Sequence, residues 1–111
     1  MKRGGRKQKR IYKVNINPLK IKVMHVITGK VLALTDKVEG QNERGDWARR
    51  SIIVEYGDEY PRKVCITAGN AERIATIESL ELGKYYAFGV VFESREVNGN
   101  WFTDIRFVRL A

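Results

Sequence analysis

Three clusters along this 111-residue chain set aromatic rings beside cations. Trp47 stands with Arg49 and Arg50, Tyr56 and Tyr60 with Arg62 and Lys63, and Phe102 with Arg95 and Arg106. An exposed ring offers a π face on which any unpaired nucleobase can stack, while the neighbouring cation neutralises a phosphate. The combination suits a groove for a single strand held with little sequence preference. Trp47, Arg49, Tyr60, Arg62, Arg95, Phe102 and Arg106 are the binding residues this pattern nominates. Aromatic residues of small barrels are most often core, and Trp101 is assigned there, whereas Trp47 follows a charged loop and Phe102 falls on the polar face of its strand.

No other chemistry is legible. The lone His25 has no cysteine or histidine at ligand spacing, and the acidic clusters (Glu39 and Glu43, Asp58 and Glu59, Glu93 and Glu96) sit in turns or among cations. Gly4-Gly5 and the later glycines match neither a P-loop nor a dinucleotide fingerprint. Cys65, between Val64 and Ile66, reads as a small buried hydrophobe, and a single cysteine excludes a disulfide within the chain. The expectation is a protein without catalytic residues, metal or cofactor.

The net charge of +8 is unevenly placed. From Met1 to Thr35 there are ten basic residues and no acid; from Asp36 onward eleven basic residues meet thirteen acidic ones, a net of −2. Met1 to Arg10, with six cations and no apolar residue after Met1, cannot bury enough surface to fold alone and reads as a flexible basic arm. Arg3, Arg6, Lys7, Lys9 and Arg10 are its candidate phosphate contacts. No run has the apolar length of a membrane span, and the N-terminus lacks the apolar segment of a signal peptide, so the chain is expected to be soluble and in the cytoplasm.

These side chains need strands to hold them. Tyr85 to Leu110 carries two aromatic and β-branched runs around Asn98-Gly99, a dipeptide suited to the positive φ angles of a tight hairpin turn. A two-residue loop pairs Val97 with Asn100. It puts Phe88, Val90 and Phe92 on one apolar face with Trp101, Ile105 and Phe107, and leaves Arg95, Phe102 and Arg106 on the other. It also opposes Glu93 to Asp104, a like-charge pair that only the diagonal Arg95 and Arg106 can relieve; a bulged three-residue loop would avoid it.

Upstream, Ile11 to Ile16 alternates as a short extra strand before Pro18, and Leu19 to Leu34 forms a long strand in which Gly29 marks a bulge or bend. Asp36 to Asp46 reads as a mobile loop. Trp47 to Tyr56 and Arg62 to Thr67 form a second hairpin, and one helix follows, with Asn70 as N-cap, Ile74, Ile77 and Leu80 at turn spacing and Gly83 beyond its end. A basic arm over 1–20 then precedes a domain over 21–111. Its order, β-β-β-α-β-β, is that of a mainly β, five-stranded oligonucleotide/oligosaccharide-binding (OB) barrel, with its helix between strands three and four.

Several short motifs carry a resemblance: Tyr60-Pro61 with Lys63-Val64-Cys65, Ser94-Arg95-Glu96, Asn98-Gly99, and Trp101-Phe102-Thr103-Asp104. From about Ile27 to Leu110 the chain resembles a small, uncharacterised bacterial and phage domain family similar to bacterial single-stranded DNA-binding proteins, and that resemblance implies an OB-fold. Those proteins usually continue past the barrel into an acidic-tipped, partner-recruiting tail, whereas this sequence stops at Ala111 right after the last strand, a departure that puts the recruiting role in doubt. The basic arm lies outside the family core.

The expectation is a non-enzymatic protein that binds single-stranded DNA or RNA. The alternative is an OB-type assembly module whose arm docks on an acidic partner or on RNA. A homo-oligomer through strand edges is open to such a barrel. Deleting Met1 to Arg10 should weaken binding to every oligonucleotide alike and flatten its salt dependence, by roughly 0.7 in log-log slope for each lost phosphate contact. Titrations at two salt concentrations measure this, and an unchanged slope would assign the arm to another partner.

Overall fold

The computed structural model describes residues 24–111, so the basic arm and the expected strand over Ile11 to Ile16 lie outside the described residues. The elements in chain order are β1 (His25–Leu34), β2 (Val38–Asn42), β3 (Gly45–Tyr56), β4 (Arg62–Ala68), α1 (Ala71–Glu78), β5 (Tyr85–Val97) and β6 (Asn100–Leu110). Five strands close in the order β1-β5-β6-β4-β3 and back to β1, a mainly β barrel of the OB type, with β2 attached only to β3.

Closure depends on β1 changing partner. His25 to Lys30 pair with β5, and Lys30 to Leu34 pair with β3. The change falls beside Gly29, where the β3 backbone comes so near that a Cβ would lie 2.5 Å from the Glu55 carbonyl oxygen and 2.6 Å from Val54 Cγ1. Glycine is therefore required for close approach. The register irregularity itself comes after the exchange, between Val31 and Ala33.

Alternation along β3 and β4 sends Ile52, Val54, Ile66 and Ala68 inward, where they meet Val31, Phe88, Val90 and Phe107. Phe88 and Phe107 lie edge to face with ring centroids 6.4 Å apart. α1 lies against β3, β4 and β6 and adds Ile74 and Ile77 to the core. Asn70 starts this helix by accepting the Arg73 N–H at 2.8 Å, and Gly83, at φ 84°, lies beyond its end. Arg50 ties the helix to β3, bonding Glu78 Oε2 at 2.6 Å and the Thr35 carbonyl at 2.7 Å.

Three expectations need correction. Asp36 to Asp46 is largely a hairpin, because β2 pairs with the start of β3 and Asn42 Oδ1 accepts the Arg44 N–H at 2.8 Å to form the turn. Its strand lacks the apolar alternation of a core strand because it runs outside the barrel, so composition mimics a loop. Cys65 is exposed, being of the same parity as Thr67, on the outside of β4. Trp101 and Phe92 are not core: Trp101 is 68% exposed and Phe92 50%. The parity expected of the hairpin holds, but it outruns the barrel wall, so inward-parity residues past Val90 and Ile105 meet no opposing strand.

The two-residue turn is present, with Asn98 at φ 52° and Gly99 at φ 84°, and Val97 faces Asn100. Below Ile105 the strand enters the core again at Phe107, which is 1% exposed. Phe107→Ala should cost about 3–5 kcal/mol of stability, through lost transfer energy and the cavity left behind. Chemical denaturation measures it, and a loss below about 1 kcal/mol would place the ring outside the core.

Candidate nucleic-acid interface

One outer face of the barrel collects most of the nominated residues that fall among the described ones. On β3, residues of odd number point outward: Trp47, Arg49 and Ser51 follow one another opposite the buried Ile52 and Val54. Ser51 sits beside Thr67 of β4, their hydroxyl oxygens 2.7 Å apart, and Thr67 pairs in turn with Arg106 of β6. On the hairpin the outward parity brings Arg106, Asp104 and Phe102 across from Val91, Glu93 and Arg95. The face therefore runs from the β2–β3 hairpin, across β4, to the β5–β6 hairpin.

Two adjoining depressions follow this line. One of about 320 Å³ includes Trp47, Arg49, Thr67 and Arg106, and one of about 460 Å³ includes Arg49, Thr67, Ser94, Arg95 and Arg106. They share Arg49, Thr67 and Arg106, so they form one groove with a ring near each end. The Arg49 guanidinium lies 5.1 Å from the centre of the Trp47 ring, and that of Arg95 lies 5.8 Å from the centre of Phe102. Phe102 is 48% exposed, which leaves ring surface open to a planar ligand.

The indole of Trp47 is seated by a missing side chain. Gly40 of β2 is its cross-strand partner, and a Cβ at Gly40 would collide with Trp47 Cζ2 and lie 2.7 Å from Cε2. The ring thus covers bare backbone, an arrangement that compensates for glycine in a strand. Arg50, one residue from Arg49 and of opposite parity, is drawn toward α1 instead of joining the groove.

The hairpin end carries two carboxylates among its arginines. Glu93 and Asp104 face each other in register, and the diagonal pairs are both made: Arg106 Nε to Glu93 Oε1 at 2.8 Å, and Arg95 Nε to Asp104 Oδ2 at 3.5 Å. The like-charge clash in the expected register is thus relieved by the two arginines placed to relieve it. Thr67, Glu93, Ser94 and Asp104 line the groove although none was nominated as a binding residue. For Glu93 and Asp104 the available signal was their parity with Arg95 and Arg106, whereas Ser94 has the opposite parity and Thr67 lies on another strand.

Of the nominated residues, Trp47, Arg49, Arg95, Phe102 and Arg106 share this face. Tyr60 and Arg62 do not: both are exposed at the β3–β4 turn, and Arg62 is separated from Thr67 by about 17 Å of extended strand. Arg3, Arg6, Lys7, Lys9 and Arg10 lie outside the described residues. Among the described residues no group of three or more potential metal ligands comes together, and no helix is long and apolar enough to cross a membrane.

A family model described as "Domain of unknown function (DUF3127)" matches residues 26–111. A comparison with curated proteins found no match. Among solved structures, the chain is similar to the SSB domain of a protein from Synechococcus sp., with a TM-score of 0.56 and 9% identity, over 82% of this chain and 96% of that one. It is also similar to a small single-stranded DNA-binding protein from Streptomyces coelicolor, with a TM-score of 0.48 and 18% identity, over 80% and 90% respectively. The first of these likenesses supports the same barrel fold.

Gly40→Ala should expel the Trp47 indole from the β2 backbone. In a Trp101→Phe background, where Trp47 is the one remaining tryptophan, the variant should show red-shifted emission and stronger iodide quenching. Unchanged emission would mean that the ring does not rest on Gly40.

Proposed function

The chain belongs to the DUF3127 family, and from the outer face of its barrel we infer that it is a non-enzymatic protein that binds single-stranded nucleic acid, foremost single-stranded DNA, with little sequence preference. The observation that carries this reading is the gathering of Trp47, Arg49, Arg95 and Arg106 along one groove, with the ring of Phe102 beside Arg95 at its end. The solved SSB domain supports the choice of barrel, and the ligand is argued from this chain's own side chains.

The division of roles follows from the chemistry of each group. Phe102 and Trp47 supply π faces on which bases stack, and stacking is tolerant of sequence because every base has such a face. Arg49, Arg95 and Arg106 contact phosphates as planar donors that accept bidentate geometry. The basic arm, with Arg3, Arg6, Lys7, Lys9 and Arg10, adds sequence-independent attraction, and Tyr60 and Arg62 extend the path past the groove. A duplex keeps its bases stacked on one another and out of reach of the rings, so the groove favours an unpaired strand. The protein works in the cytoplasm as a carrier of single strands and needs no metal or cofactor to do so.

Phe102→Ala should weaken binding of a single strand by about 1–3 kcal/mol, the size of one base–aromatic stack, and leave the fold intact. Fluorescence anisotropy with matched single-stranded and duplex oligonucleotides at moderate salt measures both affinity and preference. Equal affinity for the two forms, abolished in both by deletion of the arm, would remove the barrel from the binding site.

A further inference from the structure

A groove built solely to attract a polyanion would hold arginines among neutral residues, yet this one holds two carboxylates between them. Glu93 and Asp104 stand directly opposite each other on adjacent strands, an arrangement that costs stability unless cations intervene. Arg106 and Arg95 intervene on the two diagonals, at 2.8 Å and 3.5 Å. In both pairs the guanidinium Nε makes the contact. All four groups line the same depression with Arg49. Three cations and two anions leave it with one net positive charge.

The pairs are also easily broken. Arg95 and Asp104 side chains are 60% and 43% exposed, and those of Arg106 and Glu93 47% and 59%, so water screens each attraction. A phosphate offers these arginines the same geometry as a carboxylate with more charge.

We propose that Glu93 and Asp104 are internal stand-ins for phosphate, displaced from Arg106 and Arg95 when a single strand enters the groove, and that this exchange sets the affinity of the site. The proposal rests on the groove being the binding site for single strands. Each phosphate that arrives releases a carboxylate to solvent instead of filling a vacant cation, so the strand is held less tightly than three arginines alone would hold it. Binding at this end is also less dependent on salt, because an intramolecular anion, and not only a counterion, is given up. The strand leaves readily because the carboxylates recapture the arginines.

The test compares the full chain with Glu93→Gln/Asp104→Asn, using a labelled oligothymidylate of about 15 nucleotides, near the upper end of the site size of one OB barrel. The double variant should bind about tenfold or more tightly, since both guanidinium groups are then open to phosphate with no carboxylate to displace. Its salt dependence should also be steeper. A control, Glu72→Gln/Glu81→Gln, removes the same charge outside the groove and should change affinity far less. In an Arg95→Gln/Arg106→Gln background the gain should vanish, because no guanidinium remains to be exchanged. Thermal melting of each variant checks that the hairpin persists.

A wild-type chain that binds, beside a folded Glu93→Gln/Asp104→Asn variant that binds no tighter, overturns the exchange and leaves the groove reading standing. A gain matched by the control, or retained without the two arginines, also overturns it, since net charge alone would then account for the effect. If neither wild type nor variant binds single strands, the groove itself is wrong and the exchange falls with it.

Discussion

The structure hangs on a single close approach, that of Gly29 to the Glu55 carbonyl of β3. A barrel of five strands needs one strand long enough and bent enough to pair on both sides of the closure, and β1 does this by leaving β5 and joining β3 at Lys30. Any side chain at position 29 would push the two backbones apart where the exchange takes place. With the barrel closed, the parity of each strand becomes absolute: Ile52, Val54, Ile66 and Phe107 are inside, and Arg49, Thr67 and Arg106 are outside. The groove residues come from strands that are neighbours in the sheet, β3, β4 and the β5–β6 hairpin, and closure fixes which side of those strands faces outward.

The extent to which this was legible varies with the range of the interaction. The final hairpin was readable from its turn, because Asn98-Gly99 suits a two-residue loop; the register that loop implies, with its opposed carboxylates, was one of two left open by the sequence, and it holds from Val97 and Asn100 as far as the irregularity between Gly89 and Val90. The helix was readable from its cap and periodicity. The element order implied the barrel, as did the resemblance. The misses share a cause. Trp101, Phe92 and Cys65 were assigned by hydrophobicity and strand parity, whereas burial depends on whether another strand stands opposite, a tertiary fact that neither contains. β2 was missed because a strand that hangs outside the core needs no apolar face, and Val38–Asn42 has the charge and glycine of a loop.

The grouping of the candidate site residues was only partly legible for the same reason. Each aromatic–cation pair was visible locally, but nothing local distinguishes Arg49, which turns to the groove, from Arg50, which turns to Glu78. A single residue of parity separates a groove cation from a structural one. Likewise Tyr60 and Arg62 satisfy the same composition rule as Trp47 and Arg49, yet the β3–β4 turn carries them away from Thr67.

Charge explains why the two ends of the chain are so unlike. From Asp36 onward the sequence carries a net charge of −2, and the groove's arginines at the hairpin are occupied by Glu93 and Asp104. Such a surface exerts little attraction beyond the screening length of about 8 Å in physiological salt, so it recognises what is already in contact with it. The first 35 residues, with ten cations and no acid, are where long-range attraction to a polyanion resides. Under the proposed function, capture and retention fall to separate segments: the cations would bring in any polyanion, and the rings of Trp47 and Phe102 would retain those whose bases are free to stack. Under this division the near-neutral barrel is an advantage, because a strongly basic groove would hold duplex and single strand alike through their phosphates, and the discrimination provided by the rings would be lost beneath that common term.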